Sequence, residues 1–281
     1  MILGVHVSAG ARVWEAFEHA QELGCNTMQF FARSPQRWRQ KKLEPEDIEE
    51  FRRRKEESHI KPVFVHISYL INLASPEAKL YRSSIKAYIE DIKEAYQLGV
   101  DYIVTHMGSH KETSEAAGLK RLIRALNKIA KDTADTPVSI LLENTAGSGS
   151  WLGYKFSHQR KVFDGLENIE RFGICVDTAH AYLAGYDIAT KEGLEAMVDE
   201  IENTVGTASI RLIHLNDARD KLGSHHDRHQ HIGKGNIGME GMRRIINHPK
   251  LKNVPFMLET PKDSDSADKL NLEVVRSLRV E

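Results

Sequence analysis

The chain has 281 residues, 41% of them hydrophobic, and its 39 basic and 40 acidic residues leave a net charge of -1. That supports one full-sized core, and the balanced charge excludes a protein whose overall field would drive it onto nucleic acid, so any DNA contact must come from a local basic strip. Two cysteines, Cys25 and Cys175, are too few for a disulfide scaffold and too far apart for a thiolate metal pair, so a reducing compartment and metal ligation by histidine and carboxylate are expected.

In chain order, apolar runs rich in Val, Ile, Leu and Phe predict strands at 2–7, 27–31, 63–67, 102–107, 138–144, 173–177, 210–216 and 255–260. The charged segments between them have helical spacing. In residues 83–99, Ile85, Tyr88, Ile89, Ile92 and Tyr96 follow the i, i+3, i+4 pattern and Gly99 suits a C-cap. Eight β/α units without a linker or low-complexity tract predict an α/β fold, a TIM (β/α)8 barrel forming a single domain over 1–281. No apolar run reaches the ~18 residues of a membrane span, and the start MILGVHVSAG lacks a signal-peptide pattern, so a cytoplasmic protein is expected, a monomer by default.

The strand ends carry the chemistry. Read to their C-terminal ends, the runs finish on His6, Phe31, His66, His106, Glu143, Asp177, His214 and Glu259, and all but Phe31 are metal-capable. A single histidine after a strand is usually a loop hydrogen-bonder, but parallel barrel strands deliver all these side chains to one face. Several carboxylates and imidazoles crowded there need cations to neutralise the acids. With His6 set aside as an outer group, more candidates remain than one catalytic zinc takes, and His180 in DTAH with Asp227 and His229 in DRH add to them, so two or three metals are expected. Asp-x-His in an extended stretch places both side chains on one side, where they can grip one ion.

Residues 30–42, FFARSPQRWRQKK, interleave Arg33, Arg37, Arg39, Lys41 and Lys42 with Trp38, which suits phosphate contact and insertion into a duplex gap. GKGNIG at 233–238 fits the dinucleotide-binding glycine pattern, with Glu259 at a suitable distance, but no apolar strand precedes it, so it is read as a tight turn beside a metal ligand. The glycine-rich stretch 143–155 lacks P-loop spacing and is read as a flexible loop.

The segments VHISYLINL, LLENTAGSG, CVDTAHAYLAGYD, HLND, GSHHDRHQHIGKGNIG and PFMLET together resemble the endonuclease IV family of apurinic/apyrimidinic (AP) endonucleases. The likeness runs from GVHVSAG near the start to LETP near the end. It implies a barrel holding three Zn2+ ions, with partial replacement by Mn or Fe, that hydrolyses the phosphodiester 5′ to abasic sites in double-stranded DNA. The expected products are 3′-hydroxyl and 5′-deoxyribose phosphate ends, and clearing of 3′-blocking groups is expected as well.

By the same resemblance His66 and His106 hold one zinc, Glu143 bridges to a second held also by Asp177, His214 and Glu259, and His180, Asp227 and His229 hold a third. Glu143 or Glu259 takes the proton of the attacking water. His225, His226 and His231 become loop or outer residues. Gln36, Arg37, Trp38, Tyr69, Leu70, Lys155 and Arg228 become DNA contacts, with Tyr69 and Leu70 filling the space left by the abasic nucleotide. The sequence departs from the family pattern in placing Gln36, not arginine, two residues before Trp38, and in the alanine of DTAH. Two rival readings remain at this point: a metal-dependent sugar isomerase or epimerase on the same barrel, which needs neither a third metal nor a basic aromatic loop, and a non-catalytic DNA-binding barrel with structural metals.

Overall fold

The computed structural model describes residues 1–31, 33, 38 and 42–280. Its strands are β1 Leu3–Val5, β2 Met28–Phe31, β3 Val63–His66, β4 Tyr102–His106, β5 Ser139–Glu143, β6 Phe172–Asp177, β7 Ile210–His214, β8 Asp217–Ala218, β9 His229–Gln230 and β10 Phe256–Leu258. The helices are α1 Glu15–Glu22, α2 Pro45–Glu57, α3 Ala78–Leu98, α4 Glu115–Asp132, α5 Phe156–Phe163, α6 Thr178–Ala184, α7 Lys191–Thr204, α8 Gly238–Asn247 and α9 Ala267–Leu278. Every apolar run read as a strand forms one.

Eight strands pair in parallel in the order β1-β10-β7-β6-β5-β4-β3-β2. The seam between the outer two is closed by a parallel bridge from His6 to Gln29 and by Val7 N–H donating to the Gln29 carbonyl at 2.8 Å. The result is a TIM barrel. β8 and β9 form a separate antiparallel pair in the loop after β7.

Inside the barrel Phe64, Val104, Leu141, Cys175, Leu212 and Met257 pack as one apolar cluster. Each lies two residues before a strand-end donor, namely His66, His106, Glu143, Asp177, His214 and Glu259. Because side chains two apart in a strand share a face, the same alternation that fills the core delivers these six residues to the layer above it. The helices cover the outside. On α3, Ile85, Tyr88 and Ile92 are buried as their spacing requires and Gly99 takes a left-handed φ of 71° at the C-cap, whereas Tyr96 turns out to solvent and Ala95 packs in its place. Among the described residues no helix is long and apolar enough to cross a membrane.

Gly4 marks the tightest point of the closure, since a methyl group there would stand 2.0 Å from the Thr27 carbonyl oxygen across the β1–β2 seam. Gly4→Ala must therefore push the two strands apart. The expected cost is roughly 3 kcal/mol, within the range for overpacking a rigid core. The midpoint of urea unfolding measures it, and a midpoint equal to the parent's would show that the seam has slack.

Candidate metal centre

Glu143, fully buried at the end of β5, is the hub of the strand-end layer. Its Oε2 lies 3.0 Å from His66 Nε2 and 3.2 Å from His106 Nε2, and its Oε1 lies 3.0 Å from His214 Nδ1. On the other side of His214, Glu259 Oε2 stands 3.2 Å from the same Nδ1, and Asp177 Oδ2 is 3.9 Å away. Ligand atoms of His66, His106 and Glu143 converge as one group, those of Glu143, Asp177, His214 and Glu259 as a second, and those of Asp177, His180 and His229 as a third. Asp227 sits against the third group, its Oδ1 3.0 Å from His180 Nε2 and 3.6 Å from His229 Nε2.

The outward hydrogen bonds of the rings fix which nitrogen faces the carboxylates. His66 Nδ1 meets the Ile67 carbonyl at 2.7 Å, His180 Nδ1 the Asn144 carbonyl at 2.9 Å, and His229 Nδ1 the Glu259 carbonyl at 2.9 Å. His214 uses Nε2, which meets Gln29 Oε1 at 2.9 Å, while Gln29 Nε2 donates to Glu259 Oε1 at 2.7 Å. These partners are acceptors, so each neutral ring spends its one N–H on them and turns a lone pair toward carboxylate oxygens. His229 Nε2, buried, has no hydrogen-bond partner among the described residues. Lone pairs facing carboxylates at 3 to 4 Å repel unless a proton or a cation lies between them. A histidine that donates outward and offers its second nitrogen inward is also the usual state of a metal-ligating imidazole. The nitrogen and oxygen donor set therefore fits zinc or a similar divalent cation.

The electrostatics follow the same geometry. Burial opposes ionisation of Glu143, but His106 and His214 hold its carboxyl well below the usual range. Burial likewise opposes charge on His214 and His180, yet their neighbours win: Glu259 and Glu143 raise the first and Asp177 and Asp227 raise the second, both well above an ordinary imidazole. Asp227 is brought down to about 2, against the effect of burial, by His180 and His229.

The third group is assembled from local structure. Asp177 ends β6 and caps α6, its Oδ1 accepting the His180 N–H at 2.7 Å, so the D-x-x-H spacing fixes His180 on the first helical turn. His229 lies in β9, held by pairing with β8. Behind that pair the glycine turn 233–238 closes on a carboxylate of the chain itself: Gly233, Gly235, Ile237 and Gly238 all donate backbone N–H groups to Asp217. A side chain at Gly235 would strike the Ala218 carbonyl oxygen, 2.4 Å from where its Cβ would lie, and Asp217 itself. The resemblance to a nucleotide fingerprint is thus a nest for an internal anion.

Other candidates fall less neatly. His6 stands beside Glu259, with Nδ1 3.1 Å from its Oε1, outside the three groups. Phe31 ends the second strand as read and packs beside His6 and His66, with ring centroids 4.3 and 5.7 Å away, while Gln29, two residues earlier on the same face, bridges His214 and Glu259. Arg33, read as a phosphate contact, is only 5% exposed and paired with buried Asp91 of α3 at 2.8 Å, while its Nη1 donates to the Trp38 carbonyl at 2.7 Å. Burial raises the Asp91 carboxyl to about 6 despite Arg33. Arg33 therefore anchors the loop. Trp38 is 40% exposed and Tyr69 58% exposed, with half-buried Leu70 next to it. Tyr69 stacks on His106 with centroids 6.2 Å apart. Lys155 lies over the Tyr154 ring at 4.7 Å, and Arg228 is exposed beside Asp227. Gln36, Arg37, Arg39 and Lys41 lie outside the described residues.

His225, His226 and His231 are held by Ala146, Asp220 and Asp263 and stand apart from the donor groups. Sequence reading passed over three amides and one indole. Besides Gln29, Asn216 donates to Asp177 Oδ2 at 2.7 Å and Asn144 to the Asp177 carbonyl at 3.0 Å. Trp151 approaches His106 edge-on at 5.8 Å and lines a cleft with Tyr69, residues 145–148 and Asp227. Only the position of Asn144 and Asn216 directly or nearly after strand-end donors signals their role.

Fold and donor groups together define an enzyme of the metal-binding TIM-barrel class. Residues 17–279 match the xylose isomerase-like TIM barrel family. The chain is 41% identical over 276 residues, 98% of its length and 97% of the relative's, to a protein of Chloroflexus aurantiacus named "Probable endonuclease 4". It superposes on endonuclease IV from Thermus thermophilus with a TM-score of 0.88 at 35% identity, covering 99% of this chain and 98% of that one. A D-tagatose 3-epimerase-like protein shares the fold alone, with 20% identity and a TM-score of 0.73 over 99% and 97% of the two chains. The chain belongs to the endonuclease IV family of AP endonucleases.

The raised histidines and lowered carboxylates act in opposite pH windows in chelator-treated protein. His180 and His214, raised on folding, contribute stability that is complete below the unfolded imidazole value of ~6.5 and is lost as pH climbs through their folded values. Glu143 and Asp227, lowered on folding, contribute stability that is present above ~4.5 and is lost as pH falls. Thermal unfolding in EDTA should therefore show a lower midpoint at pH 9 than at pH 6.5. Added zinc should remove the fall, because it competes with protons for the same lone pairs and binds more tightly as pH rises. A higher midpoint at pH 9 in EDTA would contradict the assigned ring states.

Proposed function

We propose that this chain is a zinc-dependent DNA-repair endonuclease that hydrolyses the phosphodiester 5′ to abasic sites in double-stranded DNA. It leaves 3′-hydroxyl and 5′-deoxyribose phosphate ends and also clears 3′-blocking groups. The observation that carries this reading is the meeting of His180 and His229 beside Asp177 and Asp227, a third donor group that a one- or two-metal sugar isomerase does not need. The relatives named endonuclease IV support the DNA substrate.

In this reading His66, His106 and Glu143 hold one ion, Glu143, Asp177, His214 and Glu259 a second, and His180, Asp227 and His229 a third, with Mn or Fe as partial replacements. When bound, such ions supply Lewis-acid polarisation of the phosphate and acidify water for attack on phosphorus. The chain's own groups do the rest. Glu143 is enclosed by His66, His106 and His214 and serves as a fixed acceptor. Glu259 is less buried, with Oε1 engaged by Gln29 and Oε2 beside His214, and either it or Glu143 takes the proton of the attacking water. Gln29 aligns Glu259 and His214 with one amide. Tyr69 and Trp151 flank the cleft and exclude water, with Leu70 beside them. Lys155 and Arg228 contact phosphates, and Trp38 with Gln36 and Arg37 meets the duplex at the lesion.

Incubation with a duplex carrying one abasic site tests the chemistry. Hydrolysis gives a 3′-hydroxyl, whereas a lysine Schiff-base lyase leaves an unsaturated aldehyde and is trapped by borohydride as a covalent adduct. The adduct, or cutting by chelator-treated protein, would overturn the proposal. The third group is tested separately by His229→Ala, which should fold, retain about two metals, and lose activity by a few orders of magnitude, since contacts that stabilise developing charge are worth roughly 3–4 kcal/mol. Elemental analysis beside the parent reads the metal content, and equal metal with unchanged cutting would reduce His229 to a loop histidine.

A further inference from the structure

His225 is one of two non-glycine residues with positive φ among the described residues, at 58°. Such a conformation costs roughly 1–2 kcal/mol for a residue other than glycine, so something must hold it. Three contacts do, from two different parts of the chain. Its backbone N–H donates to the Leu183 carbonyl at 3.0 Å. Its Nδ1–H donates to the Ala146 carbonyl at 2.8 Å, and its own carbonyl accepts from the Ser148 hydroxyl. The ring stands edge-on to Tyr154 with centroids 6.1 Å apart, and a Cβ on Gly147 would come within 3.0 Å of His225 Nδ1. The left-handed backbone thus turns ring and carbonyl together onto the glycine-rich loop. That loop carries Trp151, two residues beyond His225 the chain carries Asp227, and both line the same cleft.

We propose that His225 is a positioning residue that fastens loop 145–151 to the loop carrying Asp227 and His229, setting the width of the cleft between Trp151 and Asp227. It rests on the nuclease reading for what enters that cleft. A loop rich in glycine loses much freedom when it closes on a ligand, and a clamp that orders it beforehand lowers that cost. The clamp therefore acts on KM and leaves kcat alone.

Two substitutions separate the hydrogen bond from the backbone. His225→Gly keeps the left-handed φ without strain but removes the donor. His225→Asn tolerates that φ and supplies an amide N–H for the Ala146 carbonyl. In the metal-loaded Gly variant, amide hydrogen exchange across 145–151 should accelerate and KM for a duplex with one abasic site should rise roughly fivefold, the weight of one ordinary hydrogen bond, with kcat unchanged. The Asn variant should restore both. A Gly variant with the parent's exchange and KM overturns the clamp, and so does one that sheds metal, since His225 would then serve the metal loop and not the cleft. If the parent itself does not cut abasic DNA the nuclease reading fails, and the exchange comparison decides the clamp on its own.

Discussion

The site is organised by a conflict between lone pairs. Imidazole nitrogens of His66, His106 and His214 converge on the buried carboxylate of Glu143, at 3.0 to 3.2 Å. An arrangement of that kind is stable only if positive charge lies inside it, supplied by protons or by metal. The barrel holds them in place because its strands are parallel and each of these side chains stands two residues beyond one that packs the core. Moving any one of them means moving an apolar layer as well.

The amides around the centre make that conflict specific. Gln29, Asn144 and Asn216 have no charge of their own, yet each can donate and accept at once, and each ties neighbouring strand ends together. Gln29 sets the ring state of His214 and the orientation of Glu259 through its two amide atoms. Asn144 accepts the Asp177 N–H at 2.7 Å and returns an N–H to its carbonyl. Asn216 gives one N–H to Asp177 and takes one from the Glu259 backbone at 2.8 Å. Carboxylates and imidazoles held in this way have fixed lone-pair directions, which is what separates a metal centre from a mere acidic patch.

Much of this was legible before any coordinates. Strand alternation and helical spacing are local signals, so the eight strands and the residues at their ends were readable, and DTAH offered His180 as a donor close to Asp177. What was hidden depends on partners far away in the chain. Arg33 looks like a DNA contact in a basic run, and only the burial of Asp91, 58 residues on, makes it an anchor. Phe31 ends its strand as its sequence predicts, but nothing local says that Gln29, two residues earlier on the same face, reaches His214 and Glu259. Asp217 gave no sign that four backbone N–H groups would close on it. Trp151 carried no periodic pattern at all, being placed by a bridge to Ser109 across two loops.

Asp177 has a consequence for how the centre comes together. One of its oxygens begins α6 by accepting the N–H of His180, only three residues away, so that histidine is brought to its post by the shortest of loop closures. His229 stands in β9, whose pairing with β8 is a local hairpin, and it meets Asp177 only because that hairpin packs against α6. The two imidazoles of one donor group therefore differ in what places them: the first is fixed by the start of a helix, the second by the docking of a hairpin, so disturbing that hairpin loosens one and spares the other.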